Sequence, residues 1–218
     1  MEALLALLLT LTPWYGDKDE APEDRKARLT LVAKAVRKAS ARATCTDQPK
    51  PAKGAKAKKC QRIWHGDRDR LEATLVMLAN QESGYARFVQ DGSCNRDPKL
   101  RKRWCDSGRA ASVWQLQSGY RLTVERWRKM IGMTQDAHDR AAWRAAESLS
   151  RGVTFCGHLR GAIALYATGR RCVWSRAKKR EQLGQAMTVK YRAIIKGQKR
   201  DRSAPRRRKP AESRVAQR

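Results

Sequence analysis

Apolar residues recur along most of this chain at the spacing of amphipathic helices. The clearest stripe consists of Leu71, Leu75 and Leu78, which follow one another at positions i, i+4 and i+7. The next position on the stripe is Glu82, and Gly84 provides a natural end for the helix. The pattern therefore predicts a helix that starts near residue 67 and carries a carboxylate in its last turn, at the edge of the core.

Five other segments predict helices through apolar periodicity or alanine-rich composition: residues 21–43, 122–130, 136–151, 161–168 and 176–196. Residues 46–59 and 89–111 instead carry Lys, Pro, Gly and Asx turn signals, which predict loops. No segment alternates polar and apolar residues as a half-buried strand does. The sequence therefore predicts a mainly α fold.

The two ends of the chain differ from its middle. Residues 3–11 are either the apolar part of a signal peptide or a buried helical segment ending at Pro13, and they are too few to cross a bilayer. Residues 197–218 have no apolar set to bury and repel one another, which predicts a disordered Arg/Lys-rich tail. The chain is therefore divided into an N-terminal apolar segment (1–20), a basic helix and Lys/Pro-rich loop packed on or leading into the domain (21–60), one domain (61–196) and the tail (197–218).

The charge balance indicates anionic surroundings. The 218 residues include 49 Lys and Arg against 21 Asp and Glu, for a formal net charge of +28. Such an excess favours nucleic acid, anionic lipid or an anionic cell envelope as the environment and carries no information about the fold. The length suits one domain with appendages, and we expect a monomer without a membrane span.

The six cysteines fall in the sequence as three near pairs: Cys45 and Cys60, Cys94 and Cys105, Cys156 and Cys172. This arrangement predicts three local disulfides and an oxidising compartment. There is no Cys-x-x-Cys pair, and the three histidines show no ligand spacing. We therefore expect neither a metal site nor a cofactor.

Glu82 is the first candidate for chemistry. A carboxyl on the apolar side of a helix is partly desolvated, and desolvation raises the pKa of a carboxyl toward neutrality, where it can donate a proton. The alternative is an ordinary ion pair, for which Arg87 is close in sequence. Periodicity leaves both interpretations open.

Three motifs in order extend the interpretation: Glu82-Ser83-Gly84-Tyr85, AASVWQL at 110–116 and AIALYATG at 162–169. Over residues 65–195 the set resembles the lysozyme-like domain of soluble lytic transglycosylases and, more loosely, goose-type lysozymes. The resemblance implies a lysozyme-like helical domain that cleaves the β-1,4 bond between N-acetylmuramic acid and N-acetylglucosamine in peptidoglycan. It also implies that Glu82 is the catalytic acid and base.

The other motif residues are candidates for substrate binding. Ser83 matches the family's serine, Gln115 its glutamine and Tyr166 its tyrosine, although a buried amide and a core tyrosine are the alternatives for the last two. Tyr85 and Trp114 could stack on sugar faces or pack in the core. Ser112 completes the candidate set.

The chain also departs from the family pattern. Arg109 and Ser112 stand where the second motif usually has glycines, and Val113-Trp114 replaces Leu-Met. Ala167 stands where the third motif has Asn, which affects contacts near the scissile sugar.

The reaction has two forms on this interpretation. If the muramic acid's own 6-hydroxyl attacks, Glu82 acts alone and a 1,6-anhydro end forms. If water attacks, an Asp of the loop, Asp91, Asp97 or Asp106, holds it, since Glu72 points elsewhere on the helix. Either enzyme belongs to the periplasm or cell wall of a bacterium or is delivered there by a phage, with the basic tail bound to anionic envelope polymers.

Two interpretations of other classes remain. A basic nucleic-acid-binding protein would explain the charge but not the cysteine pairs or the ordered motifs. A catalytically inactive glycan-binding domain would explain the motifs together with Ala167.

Overall fold

The computed structural model describes residues 1–12, 17, 20–46, 60–117 and 123–203. These residues form nine α-helices and one two-stranded antiparallel sheet. The helices are α1 (Glu2–Leu9), α2 (Pro22–Thr44), α3 (Arg68–Ser83), α4 (Arg87–Gln90), α5 (Pro98–Trp104), α6 (Val124–Arg128), α7 (Gln135–Cys156), α8 (Leu159–Thr168) and α9 (Ala177–Ser203). The strands are β1 (Ala110–Ala111) and β2 (Leu116–Gln117). The predicted mainly α class is confirmed.

Helix α3 is the centre of the fold. Residues 71–79 are all buried, because α2, α7 and α9 pack around the helix. The predicted stripe of Leu71, Leu75 and Leu78 is fully buried, and the polar side of the predicted amphipathic helix is buried as well. The sequence pattern therefore located the helix but underestimated how much of it is covered.

A buried carboxylate on α3 ties three helices together. Glu72 is fully buried and accepts hydrogen bonds from Ser40 Oγ of α2 at 2.6 Å, from Arg68 Nε at 2.9 Å and from the hydroxyl of Tyr191 in α9 at 2.5 Å. Arg37 lies 3.3 Å from the same carboxylate. Burial, followed by the negative charge of Glu72, raises the pKa of Tyr191 above its ordinary value.

Helices α3 and α9 run antiparallel. Glu72 near the start of α3 contacts Tyr191 in the second half of α9, whereas Glu82 at the end of α3 contacts Arg180 near the start of α9. Gly184 lies between them, and a Cβ added there would meet the Met77 side chain at 3.6 Å. That distance is an ordinary van der Waals contact, so the two helices pack side by side here without requiring a glycine.

The apolar N-terminal run is a buried helix in this structure. Leu4, Leu7 and Leu8 of α1 are fully buried, and α1 packs on both α2 and α9. The structure does not distinguish a signal peptide from a permanent helix, and Pro13 lies outside the described residues. Among the described helices, none combines the length and apolar character needed to cross a membrane.

The three predicted disulfides are confirmed. Cys45 bonds to Cys60, Cys94 to Cys105 and Cys156 to Cys172. The first disulfide closes the Lys/Pro-rich stretch, whose residues 47–59 lie outside the described part of the chain. The other two join the ends of α5 and of α7 to nearby turns.

The prediction of a continuous loop over residues 89–111 is wrong, because this stretch contains α5. The Asp97 carboxylate accepts from the backbone N–H groups of Lys99 and Leu100, and Pro98 occupies the first turn of the helix. An Asp-Pro pair is a turn signal and also a helix start, since proline needs no hydrogen bond at the first helical position.

Two other boundaries also differ from the prediction. Helix α7 continues to Cys156, and α9 continues through Gly197 to Ser203, so the beginning of the predicted disordered tail is helical. Glycine inside a helix costs about 1 kcal/mol relative to alanine, which a long packed helix tolerates. Residues 204–218, with most of the tail, lie outside the described part of the chain.

We predict that Glu72→Gln lowers the free energy of unfolding by about 3 kcal/mol, because it removes the buried charge that pairs with Arg68 and Arg37. Tyr191→Phe removes one hydrogen bond to the same carboxylate and should cost about 1 kcal/mol. Urea denaturation measures both values. Exposed Glu23→Gln is the control and should leave the midpoint unchanged, whereas an unchanged midpoint for Glu72→Gln would contradict a structural role of the buried carboxylate.

Candidate active site

Glu82 lies where the apolar stripe of α3 reaches the surface. It occupies the last turn of the helix, which ends at Ser83, and its side chain is 20% exposed. Gly84 follows with a φ of 58°, a left-handed conformation in which glycine is unstrained. The predicted position of the carboxylate, at the edge of the core in a terminal turn, is therefore confirmed.

Ser83 and Tyr85 hold this helix end in place. The Ser83 hydroxyl donates to the carbonyl of Ala79 at 2.9 Å and accepts from the Tyr85 N–H at 3.1 Å. The Tyr85 hydroxyl reaches back to the carbonyl of Val76 at 2.9 Å. Both side chains are buried, and desolvation holds the pKa of Tyr85 well above its ordinary value. Their hydrogen-bonding groups face the helix, so their observed part is to fix the backbone beside Glu82.

The second motif forms the small sheet. Ala110 pairs with Gln117 and Ala111 with Leu116, which leaves residues 112–115 as the connecting turn. Ser112 and Gln115 adopt positive φ angles of 63° and 49°. The Ser112 hydroxyl accepts from the Trp114 N–H at 3.3 Å within this turn. Strands of two residues are too short to show a period of two in the sequence, which is why alternation did not reveal them.

Trp114 joins the hairpin to the central helix. Its indole N–H donates to the carbonyl of Leu75 in α3 at 3.0 Å, and the side chain is fully buried. The carbonyl of Trp114 accepts from the hydroxyl of Tyr166 in α8 at 2.8 Å. These two hydrogen bonds fix the hairpin against both helices and thereby bring the second and third motifs to the end of the first.

Tyr166 also lies in the electrostatic field of Glu82. Burial raises the pKa of the Tyr166 phenol well above its ordinary value, and the negative charge of Glu82 raises it further, whereas Arg180 opposes the increase. The phenol, the carboxylate and the guanidinium therefore interact at one place. The phenol remains protonated at neutral pH, which keeps it a donor to the Trp114 carbonyl.

Arg180 is the partner of Glu82. One of its terminal nitrogens contacts Glu82 Oε1 in a direct ion pair, and the side chains are 14% and 20% exposed. The Arg180 guanidinium also lies over the Trp174 ring, 4.7 Å from the ring centroid. The ion pair that was the alternative interpretation of Glu82 is thus present in the structure. Its cation is Arg180, 98 positions away in the sequence, and not Arg87.

Sequence reasoning missed Arg180 and Trp174. Arg180 is one of 49 basic residues, and neither residue belongs to a recognised motif. The antiparallel packing of α9 on α3 is what carries Arg180 to the end of α3. The sequence could have indicated the contact between Arg180 and Glu82 only if the pairing of α3 with α9 had been known.

The side-chain amide of Gln115, in the turn of the hairpin, has an unpaired nitrogen. Its Nε2 is buried and has no hydrogen-bond partner among the described residues, although its backbone N–H donates to the Ser112 carbonyl at 3.0 Å. Buried amide nitrogens are nearly always paired in folded proteins, so an unpaired one is a candidate donor to a ligand carbonyl.

The two aromatic candidates are core residues in this structure. Tyr85 is 5% exposed and Trp114 is fully buried, so neither ring offers a face to a sugar. Trp174 is partly exposed and has the Arg180 guanidinium over its ring. The alternative of core packing is therefore what the structure shows for Tyr85 and Trp114.

Each loop aspartate has a local partner. Asp91 accepts from the Ser93 N–H at 2.7 Å, Asp97 caps α5, and Asp106 contacts Arg109 at 3.1 Å. Asp106 also accepts from Gln117 Nε2 at 2.8 Å, which links it to the hairpin that carries Gln115. None of the three shares a described hydrogen bond or ion pair with Glu82. Asp106 is nonetheless the one tied to the site through the hairpin.

A second buried polar network supports the chain just after Glu82. Arg28 of α2 donates to the Tyr85 carbonyl at 2.5 Å and to Gln90 Oε1 at 2.8 Å. Gln90 Nε2 in turn lies 2.7 Å from His138 Nε2, and His138 Nδ1 lies 2.8 Å from the Thr134 carbonyl. In this arrangement a neutral imidazole accepts from Gln90 and donates to Thr134.

Protonation of His138 would disrupt this hydrogen-bond network. Burial lowers the pKa of His138 below its ordinary value, the Thr134 carbonyl and Asp139 oppose the decrease, and Arg28 adds to it. A protonated Nε2 would also face the amide N–H of Gln90, whose oxygen is already held by Arg28. The site therefore has a neutral histidine behind it at neutral pH.

No three His, Cys, Asp or Glu side chains among the described residues come together as a metal-binding group. A scan against protein-family models and searches of curated proteins and of solved structures each find no match.

We predict that stability falls as the pH drops through the range of His138. The folded pKa is lowered, so the unfolded chain binds this proton more readily; the contribution is complete above about pH 6.5 and is lost as the pH falls toward the folded value. The denaturation midpoint measured between pH 7 and pH 5 should decline less steeply in His138→Gln than in the wild type. Exposed His65→Gln should keep the wild-type slope, and an equal slope in His138→Gln would contradict the buried neutral histidine.

Proposed function

We propose that this chain is a peptidoglycan-cleaving glycosidase of the lytic transglycosylase type, with a lysozyme-like catalytic arrangement. The observation that carries the proposal is that three motifs, spread over residues 82–169, are linked around α3: the second contacts α3 and the third, and Tyr166 of the third interacts with Glu82. Glu82 supplies a partly buried carboxyl, the hairpin supplies the unpaired Gln115 amide, and Tyr166 joins the hairpin to α8 beside the carboxyl. This combination suits proton transfer next to a bound amide-bearing sugar.

In the proposed reaction Glu82 acts first as an acid and then as a base. Its carboxyl protonates the glycosidic oxygen, the bond from C1 of N-acetylmuramic acid to that oxygen breaks, and the N-acetylglucosamine hydroxyl leaves. The 6-hydroxyl of the same muramic acid then forms a bond to C1 and returns its proton to the Glu82 carboxylate. Protons balance, and a 1,6-anhydro end results without a second carboxylate.

Gln115 is proposed to position the sugar. The Gln115 amide N–H can donate to the carbonyl of an N-acetyl group, which peptidoglycan sugars carry and simple glucose polymers do not. Satisfying a buried, unpaired donor contributes to affinity because the group has already lost its water in the free protein. The proposed specificity for N-acetylated sugars rests on this donor.

The contact between Arg180 and Glu82 must open before the proposed acid step. A guanidinium in contact with a carboxylate stabilises its negative charge, so Glu82 can donate a proton only when Arg180 has moved away from it. We propose that substrate binding separates the pair, with Arg180 retained over Trp174, and that the contact forms again once the carboxylate is generated. The guanidinium would then stabilise the form of Glu82 that acts as a base.

The same ion pair favours a second candidate, a glycan-binding domain without catalysis. If Arg180 stays on Glu82 when the glycan binds, no proton is available for the glycosidic oxygen. Ala167, where the family has Asn, is consistent with this candidate. A hydrolase is the alternative within the enzyme class, and Asp106, through its bond to Gln117, is then the aspartate best connected to the site.

The cellular setting follows from the disulfides and the charge. Three disulfides are compatible with an oxidising compartment such as a periplasm or cell wall, where peptidoglycan is found. Peptidoglycan-attached polymers are anionic, and a chain of net charge +28 is attracted to them. Binding to nucleic acid, another polyanion, would account for the charge but not for the arrangement of residues around Glu82.

We predict that the wild type clears suspensions of purified sacculi and that Glu82→Gln loses about 10²-fold or more of the rate, because the amide cannot donate a proton as an acid. Turbidity measures the rate, and circular dichroism tests that the fold is intact. Glu23→Gln, an exposed change of the same kind, should clear at the wild-type rate.

Mass spectrometry of the released fragments separates the two reactions. A 1,6-anhydro product is lighter than the hydrolysed product by the mass of one water. Absence of clearing by the wild type, together with binding to sacculi, would replace the enzyme with the glycan-binding domain.

We predict that Arg180→Met lowers the clearing rate about tenfold, because it removes the cation proposed to stabilise the carboxylate form of Glu82 that acts as a base. Methionine keeps a long apolar side chain over Trp174, which limits damage to the packing. The matched control is Arg176→Met, an exposed arginine just before α9, which should clear at the wild-type rate. Clearing by Arg180→Met at the wild-type rate would show that Arg180 does not act on the reacting carboxyl.

A further inference from the structure

A second concave surface lies between α2, α6 and α7. The groove has a volume of about 800 Å³, within the range of sites for small molecules and short oligomers. Glu82, Gln115, Tyr166, Trp174 and Arg180 are absent from its described lining, so it is separate from the candidate active site.

Six cations and four carboxylates line this groove, and four of the cations pair with the carboxylates. Each of the four carboxylates in the described lining has a Lys or Arg nitrogen within 2.5–2.7 Å. Lys38 of α2 pairs with Asp139 of α7 across the groove, and Lys129 pairs with Glu125 of α6. The lining therefore presents close pairs of a donor-only cation and an acceptor-only carboxylate.

An aromatic ring lies among these pairs. Trp143 of α7 is partly exposed, and the Arg42 guanidinium lies over it, 3.8 Å from the ring centroid. A cation–π contact at an exposed position is weak, so a ligand that covers the ring can replace it. The groove thus combines a flat apolar platform with several ion pairs along its walls.

This combination distinguishes a sugar from an anion. A hydroxyl can donate to the carboxylate and accept from the cation of the same pair, so it bridges an ion pair without breaking it. A phosphate can only accept, so it can pair with the cations of the groove but is repelled by the four carboxylates among them. The apolar face of a pyranose ring also matches an indole, whereas a phosphate does not.

We propose that the groove between α2, α6 and α7 is a second carbohydrate-binding site that holds an uncharged stretch of glycan through Trp143 and the ion pairs Lys38–Asp139 and Lys129–Glu125. The choice of an amino-sugar glycan rests on the proposed function. A polymer long enough to reach both sites would be bound more tightly than a short fragment, because the second contact is intramolecular. The groove would then direct the protein to long glycan chains.

The test is an NMR titration of the tryptophan indole N–H signals in the full chain carrying Glu82→Gln. Trp143→Phe and Trp174→Phe assign the two reporter signals, one for the groove and one for the Glu82 site. The first probe is the uncharged β-1,4 tetrasaccharide of N-acetylglucosamine, and the second is inorganic polyphosphate. Because the reporters are separate, the two proposals are measured independently.

The decisive variant is Glu125→Gln with Asp139→Asn, which removes carboxylate acceptors from the groove and makes it more positive. The proposal predicts a saturable shift of the Trp143 signal with the tetrasaccharide and about tenfold weaker binding in this variant. The matched control, Glu23→Gln with Asp24→Asn, has the same charge change on the exposed first turn of α2 and should bind as the parent does.

Three outcomes decide the matter. A saturable shift of the Trp143 signal, with weaker binding in the variant, supports the carbohydrate site whether or not the Trp174 signal responds. A Trp143 signal that responds to polyphosphate alone, and more strongly in the variant, replaces the carbohydrate site with an anion site. A Trp174 response without any Trp143 response overturns the groove while supporting the Glu82 site.

Discussion

A single buried helix imposes the central constraint on this protein. Residues 71–79 of α3 are all covered, yet the helix carries a carboxylate at each end of that stretch, and a carboxylate leaves water only when other groups replace its hydration. Tyr191 and Arg180 of α9 lie against Glu72 and Glu82 respectively. The register of the two antiparallel helices is therefore tied to two charges as well as to apolar packing.

The two carboxylates nevertheless serve different ends. Glu72 is fully buried and has partners from α2, α3 and α9, so its charge holds these three helices together. Glu82 is partly exposed and has Arg180 as its described partner. Removing the charge of a carboxylate with several buried partners is costly to the fold, whereas Glu82 has fewer described contacts to lose.

Precision at the Glu82 site comes from residues that do not face a ligand. Trp114 hydrogen-bonds α3 and accepts from Tyr166, Ser83 closes the helix end, and Arg28 holds the Tyr85 carbonyl. Side chains that resemble substrate-binding residues in the sequence thus act as supports for the backbone around the carboxyl. Rigid support of this kind is what a proton-transferring group requires, because small displacements at the reacting atoms cost large factors in rate.

The sequence by itself determined the mainly α class, the central helix with Glu82 in its last turn, and the three local disulfides. These features depend on short-range patterns: a 3.6-residue period, a terminal glycine and cysteines a few turns apart. It could not reveal that Asp97 caps a helix, α5, because the same residues signal a turn and a helix cap. Only the tertiary structure decided that Arg180 and not Arg87 meets Glu82, that Trp114 is buried, and that Arg42 covers Trp143. Those outcomes depend on which helices pack together and in which register, and residues about 100 positions apart carry no local signal of their contact.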